Sequence, residues 1–567
     1  MNNQLKNIEK IAQTLWKKTN ITGETPLHTK EFVIDVPPPN ASGTLHIGHL
    51  FSYSHIDICI RYKKLQGYKV FFSMGLDNNG LATERYLEKK YKKNLQTTKL
   101  SELKGLLEKE SRYLKADYEL SWLKLGFSLV NHPKYMTAAK DIQKVSQDFF
   151  IKLYEKKKIT FKKCLAWYCP LCKTFIGEFE TEYLPNSSEE PKMLVHERCK
   201  QKVELFLSEK WFFDLVTNKK RFIKGLSRIK WSSLTWRSEM LKSINLMRLN
   251  WCLSRQRFLG SPFPVLCCNT CHKVVVLSTD HNLQKCPQCF TPGLIPETDV
   301  MDAWFVSSLS PQINFNNYQG ILKKDLHDVR FQAHDIINTW AFYTLASSLE
   351  LTGKIPWKRI FISGHVLTEN KLKISKSNNN CPFNVHNIFQ KCSSDAVRYW
   401  ACSKSSEKEV LFTDEIINQK EAIISKLWDV FFALKNYVQK PSKLFADSLL
   451  LEHEKLFLRE FQRAANKVIH HFDRYQFDKG LKILENFFLN DFNKNFKRVF
   501  IGAQCTRNTP YLFYEISFGL LQLYAPIIPH MTEVLYQVFF RNTENYDSIH
   551  SSIFSRNRLL VLLNEKR

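Results

Sequence analysis

No stretch of this chain approaches the roughly 18 consecutive apolar residues that a helical bilayer span requires, and the N-terminus lacks the pattern of a secretory signal. A membrane partner is therefore not expected, and a cytoplasmic location is, where cysteines serve as ligands more often than as disulfides. Internal repeats, low-complexity tracts and long linkers are also missing, which excludes solenoid and fibrous architectures. Acidic residues are in deficit: 55 Asp and Glu face 82 Lys and Arg, for a formal net charge of +27. Such a field concentrates polyanions and makes their binding salt-dependent, so nucleic acid is the natural partner. What is present is globular material, 567 residues with 44% hydrophobic and 24% charged content. That length suggests about three or four domains. At its start Leu5, Ile8, Ile11 and Leu15 repeat as one helical face.

Two short signals carry the chemistry. The first, Pro38-Pro39-Asn40-Ala41-Ser42-Gly43-Thr44-Leu45-His46-Ile47-Gly48-His49, follows an apolar run, Phe32 to Val36, that reads as a buried strand. The prolines stop the strand, and Ser42 or Thr44 can cap a helix carrying His46 and His49. Three residues apart, the histidines share a face at a helix N-terminus, where unpaired N–H groups and the macrodipole attract phosphate. Gly48 removes a side chain where a flat base could approach. The second signal, Lys373-Ile374-Ser375-Lys376-Ser377, precedes Asn378, Asn379 and Asn380 and reads as a mobile loop carrying two ammonium groups. A histidine pair or a lysine run alone is commonly plain surface. In this order and context they describe two sides of a site that holds a nucleotide triphosphate and stabilises charge moving between its phosphates.

Seven of the 15 cysteines, with one histidine, form four close pairs. Cys169 and Cys172 with His196 and Cys199 make one set; Cys268 and Cys271 with Cys286 and Cys289 make the other. A two-residue gap aims both ligands at one ion, and two such knuckles complete the tetrahedron that structural Zn²⁺ prefers. Both sets are expected to be closed, hence structural, with Cys267 an alternative ligand beside Cys268.

The fold class read from these patterns is α/β: a Rossmann-like parallel-sheet domain split by a zinc-binding insertion and followed by an all-α bundle. Residues 1–160 hold the first half of the sheet, with strands at Phe32 to Val36 and Val70 to Ser73 and a turn at Gly75 to Gly80 where ligands gather. Residues 161–300 form the insertion. Residues 301–380 resume the sheet through Val329 to Phe342 and Arg359 to Ile362 and end in the lysine loop. Residues 381–567 are helical, with a stripe of Ile423, Ile424, Leu427, Trp428, Phe431, Leu434 and Val438, then helices over Leu481 to Phe500 and Tyr511 to Phe540, the last broken near Pro526 and Pro529.

With these residues in view, the chain resembles the class I aminoacyl-tRNA synthetases, whose signatures are the HIGH and KMSKS motifs. Within that class it is most similar to valyl enzymes of archaeal type, through Gly75 to Glu84, Asn250 to Arg257, Glu297 to Trp304, His334 to Ile337, Pro526 to Glu533 and Ser548 to His550. The resemblance implies ligation of valine to its tRNA through a valyl-adenylate, with ATP as substrate and Mg²⁺ accompanying it, by a monomer. It implies that His46, His49, Lys373 and Lys376 act on the phosphates. Thr44, Gly48, Asp335, Ser375 and Ser377 then bind ATP, with Asp335 on the ribose. Asp77 would hold the substrate ammonium, with Pro39 and Asn40 at the same pocket. Trp304, Ile336 and Trp340 would wall the side chain, and residues 381–567 would contact the tRNA stem and anticodon.

Departures from the pattern matter too. The family's proofreading domain is inserted between the halves of the first knuckle set, and here 23 residues separate Cys172 from His196. A domain needs roughly 50 or more. In-chain editing is thus expected to be absent, as is the coiled coil that follows the bundle in many valyl enzymes. Ala82, Ala333 and Asn338 stand where the family has proline, glycine and arginine, and a methyl at 333 could crowd the nucleotide. Isoleucine, leucine or a non-protein amino acid remain open as substrates. So do an adenylating paralogue serving a specialised pathway and an inactive tRNA-binding regulator.

Overall fold

The computed structural model of the chain describes residues 2–19, 29–95, 97–128, 132–184, 193–277, 283–374, 384–434, 451–496 and 509–554. The expected first helix, α1 (Asn2–Thr19), forms, with Leu5, Ile8 and Ala12 as its buried face. Ile11 is exposed instead, because it lies about 100° around the helix from Ala12.

Five strands make the central sheet: β1 (Lys30–Asp35), β2 (Tyr68–Phe72), β3 (Lys230–Trp231), β4 (Val329–Ala333) and β5 (Arg359–Ser363). Their order is β3-β5-β4-β1-β2, and every neighbouring pair is parallel. Parallel neighbours need crossovers, and helix α2 (Ile47–Leu65) supplies the one from β1 to β2. The expected strands at Phe32 and Val70 begin earlier, at Lys30 and Tyr68, because pairing extends beyond the apolar run. Residues 161–300 do not lie wholly outside the sheet. Within them α3 (Lys219–Ser227) and α4 (Leu234–Leu246) flank β3, which pairs with β5 at the edge. A two-residue strand carries no period-2 signal, so only its partner reveals it.

The sheet separates two cores. Phe361 of β5 packs with α2 and the C-terminal helices, whereas Ile360 and Ile362 belong to the core on the other side, with Phe342, Trp357 and Trp211. This is the two-faced alternation of a buried strand. Arg330 and Asp35, both buried and 2.7 Å apart, join β4 to β1, and Trp357 donates to the same carboxylate at 2.7 Å. The two sheet halves are thereby tied across their junction.

Beyond residue 381 the described chain is almost wholly helical, through Val385–Lys391, Ser394–Cys402, Asp414–Ala433, Glu452–Phe472, Phe477–Asn486, Thr509–Tyr524 and Pro529–Phe539. One exception is Val410–Leu411, which pairs parallel with Val366–Leu367. The predicted stripe buries Ile424, Leu427, Phe431 and Leu434, while Val438 lies outside the described residues. The helix expected from Leu481 begins at Phe477 and passes through a π-helical turn at Phe487–Phe492; residues 497–500 also lie outside the described residues. The break near Pro526 is present, and Pro529 opens the next helix where a missing N–H costs nothing.

One ionic cluster joins α2 to this bundle. Asp57 accepts from Arg61 and Arg398, each at 2.8 Å, and from the backbone N and hydroxyl of Ser128. Arg398 also donates to the carbonyls of Pro526 and Ile527 at 2.7 and 3.1 Å. Burial alone would raise the Asp57 carboxyl, but the two guanidiniums and Ser128 outweigh it and hold it down at about 2.

Candidate active site

The two sheet halves meet at β1 and β4, and their C-terminal ends open the crevice where ligands of such sheets bind. β1 runs into Pro37–Asn40, and Asn40 forms a parallel bridge with Asp77. The Asp77 N–H donates to the Pro39 carbonyl at 2.9 Å, and the Ala41 N–H to the Asp77 carbonyl at 2.7 Å. Only glycine fits at Gly75, where a Cβ would lie 2.5 Å from Pro38 and from the Tyr135 ring. Pro39, Asn40 and Asp77 are thus drawn together by backbone pairing.

The two sequence signals also converge. His46 bridges Asn384, which follows the lysine loop in the chain, and the Lys373 ammonium lies 2.9 Å from Asp335 at the end of β4. His365 stands 3.3 Å from the same carboxylate. The hydrogen bond from His365 and the charge of Lys373 outweigh desolvation and hold the Asp335 carboxyl well below its usual range. Ser375, Lys376 and Ser377 lie outside the described residues.

At the start of α2 the caps differ from expectation. Neither Ser42 nor Thr44 caps the helix; His46 does, its Nδ1 accepting from the Gly48 N–H at 3.1 Å. His49 Nδ1 accepts in turn from the His46 N–H at 3.2 Å. With both Nδ1 atoms accepting, each neutral ring carries its proton on Nε2. A Cβ at residue 48 would sit 2.9 Å from the His46 ring, so that glycine makes room for an imidazole.

A cleft of about 600 Å³, counted with its open side, is lined by Asn40, Asp77, Glu180, Arg198, Arg255 and Trp304 among others. Asp77 is buried; its carboxylate accepts from Thr137 at 2.7 Å, Ser307 at 3.0 Å and the Asn79 N–H at 3.3 Å. Among the described residues no basic side chain forms an ion pair with it, and burial pushes its carboxyl up. The Trp304 indole donates to Glu180 at 3.2 Å and meets Trp340 edge to face at 5.5 Å. Trp340 is buried behind it on the Ser307 carbonyl, and Ile336 is half-buried in the turn after Asp335. Neither Trp340 nor Ile336 lines the cleft itself.

Residue patterns missed the network behind this wall. Arg255 bonds both Glu180, at 2.9 Å, and Asp302, at 2.6 Å, and Asp302 also accepts from Trp251 at 2.8 Å. Arg255 and Asp302 lie in segments singled out for resemblance, but Glu180 carried no local signal.

Both cysteine sets converge. The ligand atoms of Cys169, Cys172, His196 and Cys199, and those of Cys268, Cys271, Cys286 and Cys289, each lie within 4.8 Å of one another. Cys169 and Cys199 sulfurs are 3.5 Å apart, Cys268 and Cys289 3.6 Å, and Cys271 and Cys286 3.6 Å. A zinc–sulfur length of about 2.3 Å puts tetrahedral sulfurs about 3.8 Å apart, so the donor type and spacing both fit. Cys267 is excluded from the second group, because alternation along its strand turns it away from Cys268.

Residues 12–413 match the family model described as tRNA synthetases class I (I, L, M and V), and residues 454–566 match that of the anticodon-binding domain of tRNA ligase. The chain belongs to the class I tRNA synthetases. The synthetase is an aminoacyl-tRNA ligase, of a family that uses ATP, an amino acid and tRNA. A valine–tRNA ligase of Thermoplasma volcanium is 26% identical, over 94% of this chain and 87% of that relative. One from Ehrlichia canis is 26% identical, over 97% and 87%. A LeuRS of Agrobacterium radiobacter K84, solved as a ternary complex with tRNA and LeuAMS, shares the synthetase's fold. It aligns with TM-score 0.77 and 15% identity, over 97% of this chain and 90% of that one. A Mycobacterium tuberculosis methionyl-tRNA synthetase bound by methionyl-adenylate aligns with TM-score 0.66 and 17% identity, over 90% and 93%. Among the described residues, no helix of the synthetase is long and apolar enough to cross a membrane.

Proposed function

We propose that this chain ligates valine to its tRNA in the cytoplasm, as a monomer, through a valyl-adenylate and without an in-chain editing domain. Asp77 carries the reading: a buried carboxylate with hydroxyl and amide donors and no ion-pair partner among the described residues, at a cleft beside the N-terminus of α2 that Arg198 and Arg255 also line. An α-ammonium completes that shell, and the substrate side chain then meets Trp304, with Ile336 and Trp340 behind. Bulky walls favour a small branched side chain, and the valine-specific names of the relatives support the same choice.

In the first step a carboxylate oxygen of the amino acid bonds to the α-phosphorus of ATP, and the bond to the β-phosphate oxygen breaks, releasing pyrophosphate. In the second a terminal tRNA hydroxyl attacks the acyl carbon, loses its proton and displaces AMP. Neither step needs a strong base, and both need charge stabilisation. His46 and His49 would bind the phosphates from the N-terminus of α2, with Thr44 and Gly48 beside them. Lys373 and Lys376 would follow the departing pyrophosphate, with Ser375 and Ser377 in the same loop. Asp335 would take the ribose, exchanging its bond to Lys373 for one to a hydroxyl. Mg²⁺ would neutralise phosphate charge with ATP, and two Zn²⁺ ions would hold the knuckles as structural ligand sets.

Two observations support the missing editing domain. The first knuckle closes through a short hairpin in which Thr181–Tyr183 pairs with Leu194–His196. The alignment with the Thermoplasma volcanium relative runs over 691 positions, more than the 567 residues of this chain, so it carries long gaps on this side. An apolar pocket rejects a hydroxyl isostere by only about 100-fold. ATP–pyrophosphate exchange across an amino-acid panel, followed by tRNA charging with valine and with threonine, tests the reading. Valine is expected to lead both assays, with threonyl-tRNA accumulating. Exchange without charging would instead indicate an adenylating paralogue, and threonine charging as low as in an editing enzyme would refute the loss of proofreading.

A further inference from the structure

The excess of positive charge is not spread evenly. Between Lys219 and Arg248 stand nine lysines and arginines and a single acid, Glu239. The segment builds α3, β3 and α4, at the outer edge of the central sheet. Helix α3 buries Phe222, Gly225 and Leu226 and presents Lys220, Arg221, Lys224 and, at its end, Arg228 to solvent. Positions 220, 224 and 228 are four apart and so lie on one face. Lys230 on β3 and Lys242 on α4 are exposed as well. Within this set, among the described residues, only Arg221 has a carboxylate partner, Glu350 at 3.5 Å. Helix ends account for a cation or two by the macrodipole, but Lys220 in the first turn of α3 sits where a cation is unfavourable.

The surface leads to the nucleotide site. Trp236 of α4 stacks on His334 with ring centroids 4.5 Å apart and an interplanar angle of 10°, and His334 precedes Asp335. The Ser232 hydroxyl, after β3, accepts from the Ile362 N–H of β5 at 3.1 Å, just before the chain turns to His365. The segment that carries these cations therefore also reaches, through Ser232 and Trp236, the end of the sheet where the adenylate would form.

We propose that the exposed cationic face of α3, β3 and α4 binds the phosphate backbone of the tRNA arm whose end is delivered to the adenylate. It rests on the proposed function, in which tRNA is the acyl acceptor, and adds where that polyanion lies. Regularly spaced lysine and arginine ammonium and guanidinium groups without base-reading partners suit backbone contacts, which position without reading sequence.

The test uses the full chain with Lys220→Gln, Lys224→Gln and Arg228→Gln combined, leaving Arg221 on Glu350. A control combines Lys99→Gln, Lys104→Gln and Lys115→Gln, three exposed positions at and along the helix Leu100–Leu125. Binding of tRNA is measured against salt, and ATP–pyrophosphate exchange is measured alongside. Loss of three phosphate contacts is expected to weaken binding by about tenfold or more and to flatten the slope of log K against log[salt] by about 2 to 3. Exchange is expected to stay unchanged, which also shows that the variant folds. The control should keep the parental slope. An unaltered slope in the first variant, or an equal loss in both, would overturn the proposal, leaving the face to another polyanion or to the general field. Failure of the parent to bind tRNA at all would refute the functional reading instead.

Discussion

Replacing Asp77 by Asn removes a charge while keeping the shape and most hydrogen bonds of its site. The carboxylate accepts from Thr137, Ser307 and the Asn79 N–H, and no basic residue among those described pairs with it. In the proposed function its charge therefore serves a ligand and not the fold. Losing a buried ammonium–carboxylate contact costs about 2–4 kcal/mol, roughly a 30- to 1000-fold rise in the amino-acid KM. ATP–pyrophosphate exchange reads this directly, and the KM for ATP should not move, since Asp77 lines the cleft proposed for the amino acid. Stability supplies an independent sign. Burial raises the Asp77 carboxyl, so in the unfolded chain it ionises first as pH rises. The folded parent thus loses stability as pH climbs from the unfolded value towards the folded one, and at neutral pH its charge is a cost. Asp77→Asn should then melt at or above the parental temperature at pH 7 while binding substrate poorly. An amino-acid KM within about threefold of the parent would refute the assignment. A clear drop in melting temperature would show the carboxylate to be structural.

Asp57→Asn should act in the opposite sense, because it strands Arg61 and Arg398 in the core; about 3–5 kcal/mol of stability should be lost in urea unfolding at pH 7. In the parent the Asp57 carboxyl lies at about 2, so its contribution of about 2 kcal/mol is present above pH 4 and disappears as pH falls from about 4 towards 2. Elemental analysis should find two zinc ions per chain, and Cys286→Ser should lower that to one and increase proteolysis near residues 265–296 without altering the other knuckle. Glu180→Gln removes the charge that Arg255 and Trp304 share, and it should narrow discrimination between valine and isoleucine by about tenfold, read as the ratio of kcat/KM values.

Local pattern carried the chemistry of this chain further than its geometry. Parallel strands at β1, β2 and β5, both knuckles and the helical C-terminal region follow from apolar runs, cysteine spacing and 3.6-residue periodicity, which need no partner to be read. The histidine and lysine motifs were legible as residue types, yet the cap of α2 was not. Ser42 and Thr44 are better caps by propensity, but the chain places His46 at the first turn, and Gly48 leaves space for its ring. β3 is invisible in the sequence because two residues have no period, and the exposure of Ile11 is not legible there because only the packed partner decides where a stripe ends.

The residues alone determined that the chain carries a histidine pair three apart, a lysine-rich segment and two four-ligand sets. Each depends on short spacing, which the backbone enforces locally. Only the tertiary structure decided that His46 meets Asn384, that Lys373 meets Asp335, and that Glu180 from the first knuckle accepts from Trp304 while Arg255 ties it to Asp302. Those contacts join residues far apart in the chain, so they arise from burial and ion pairing across a folded core, where no local pattern records the partner.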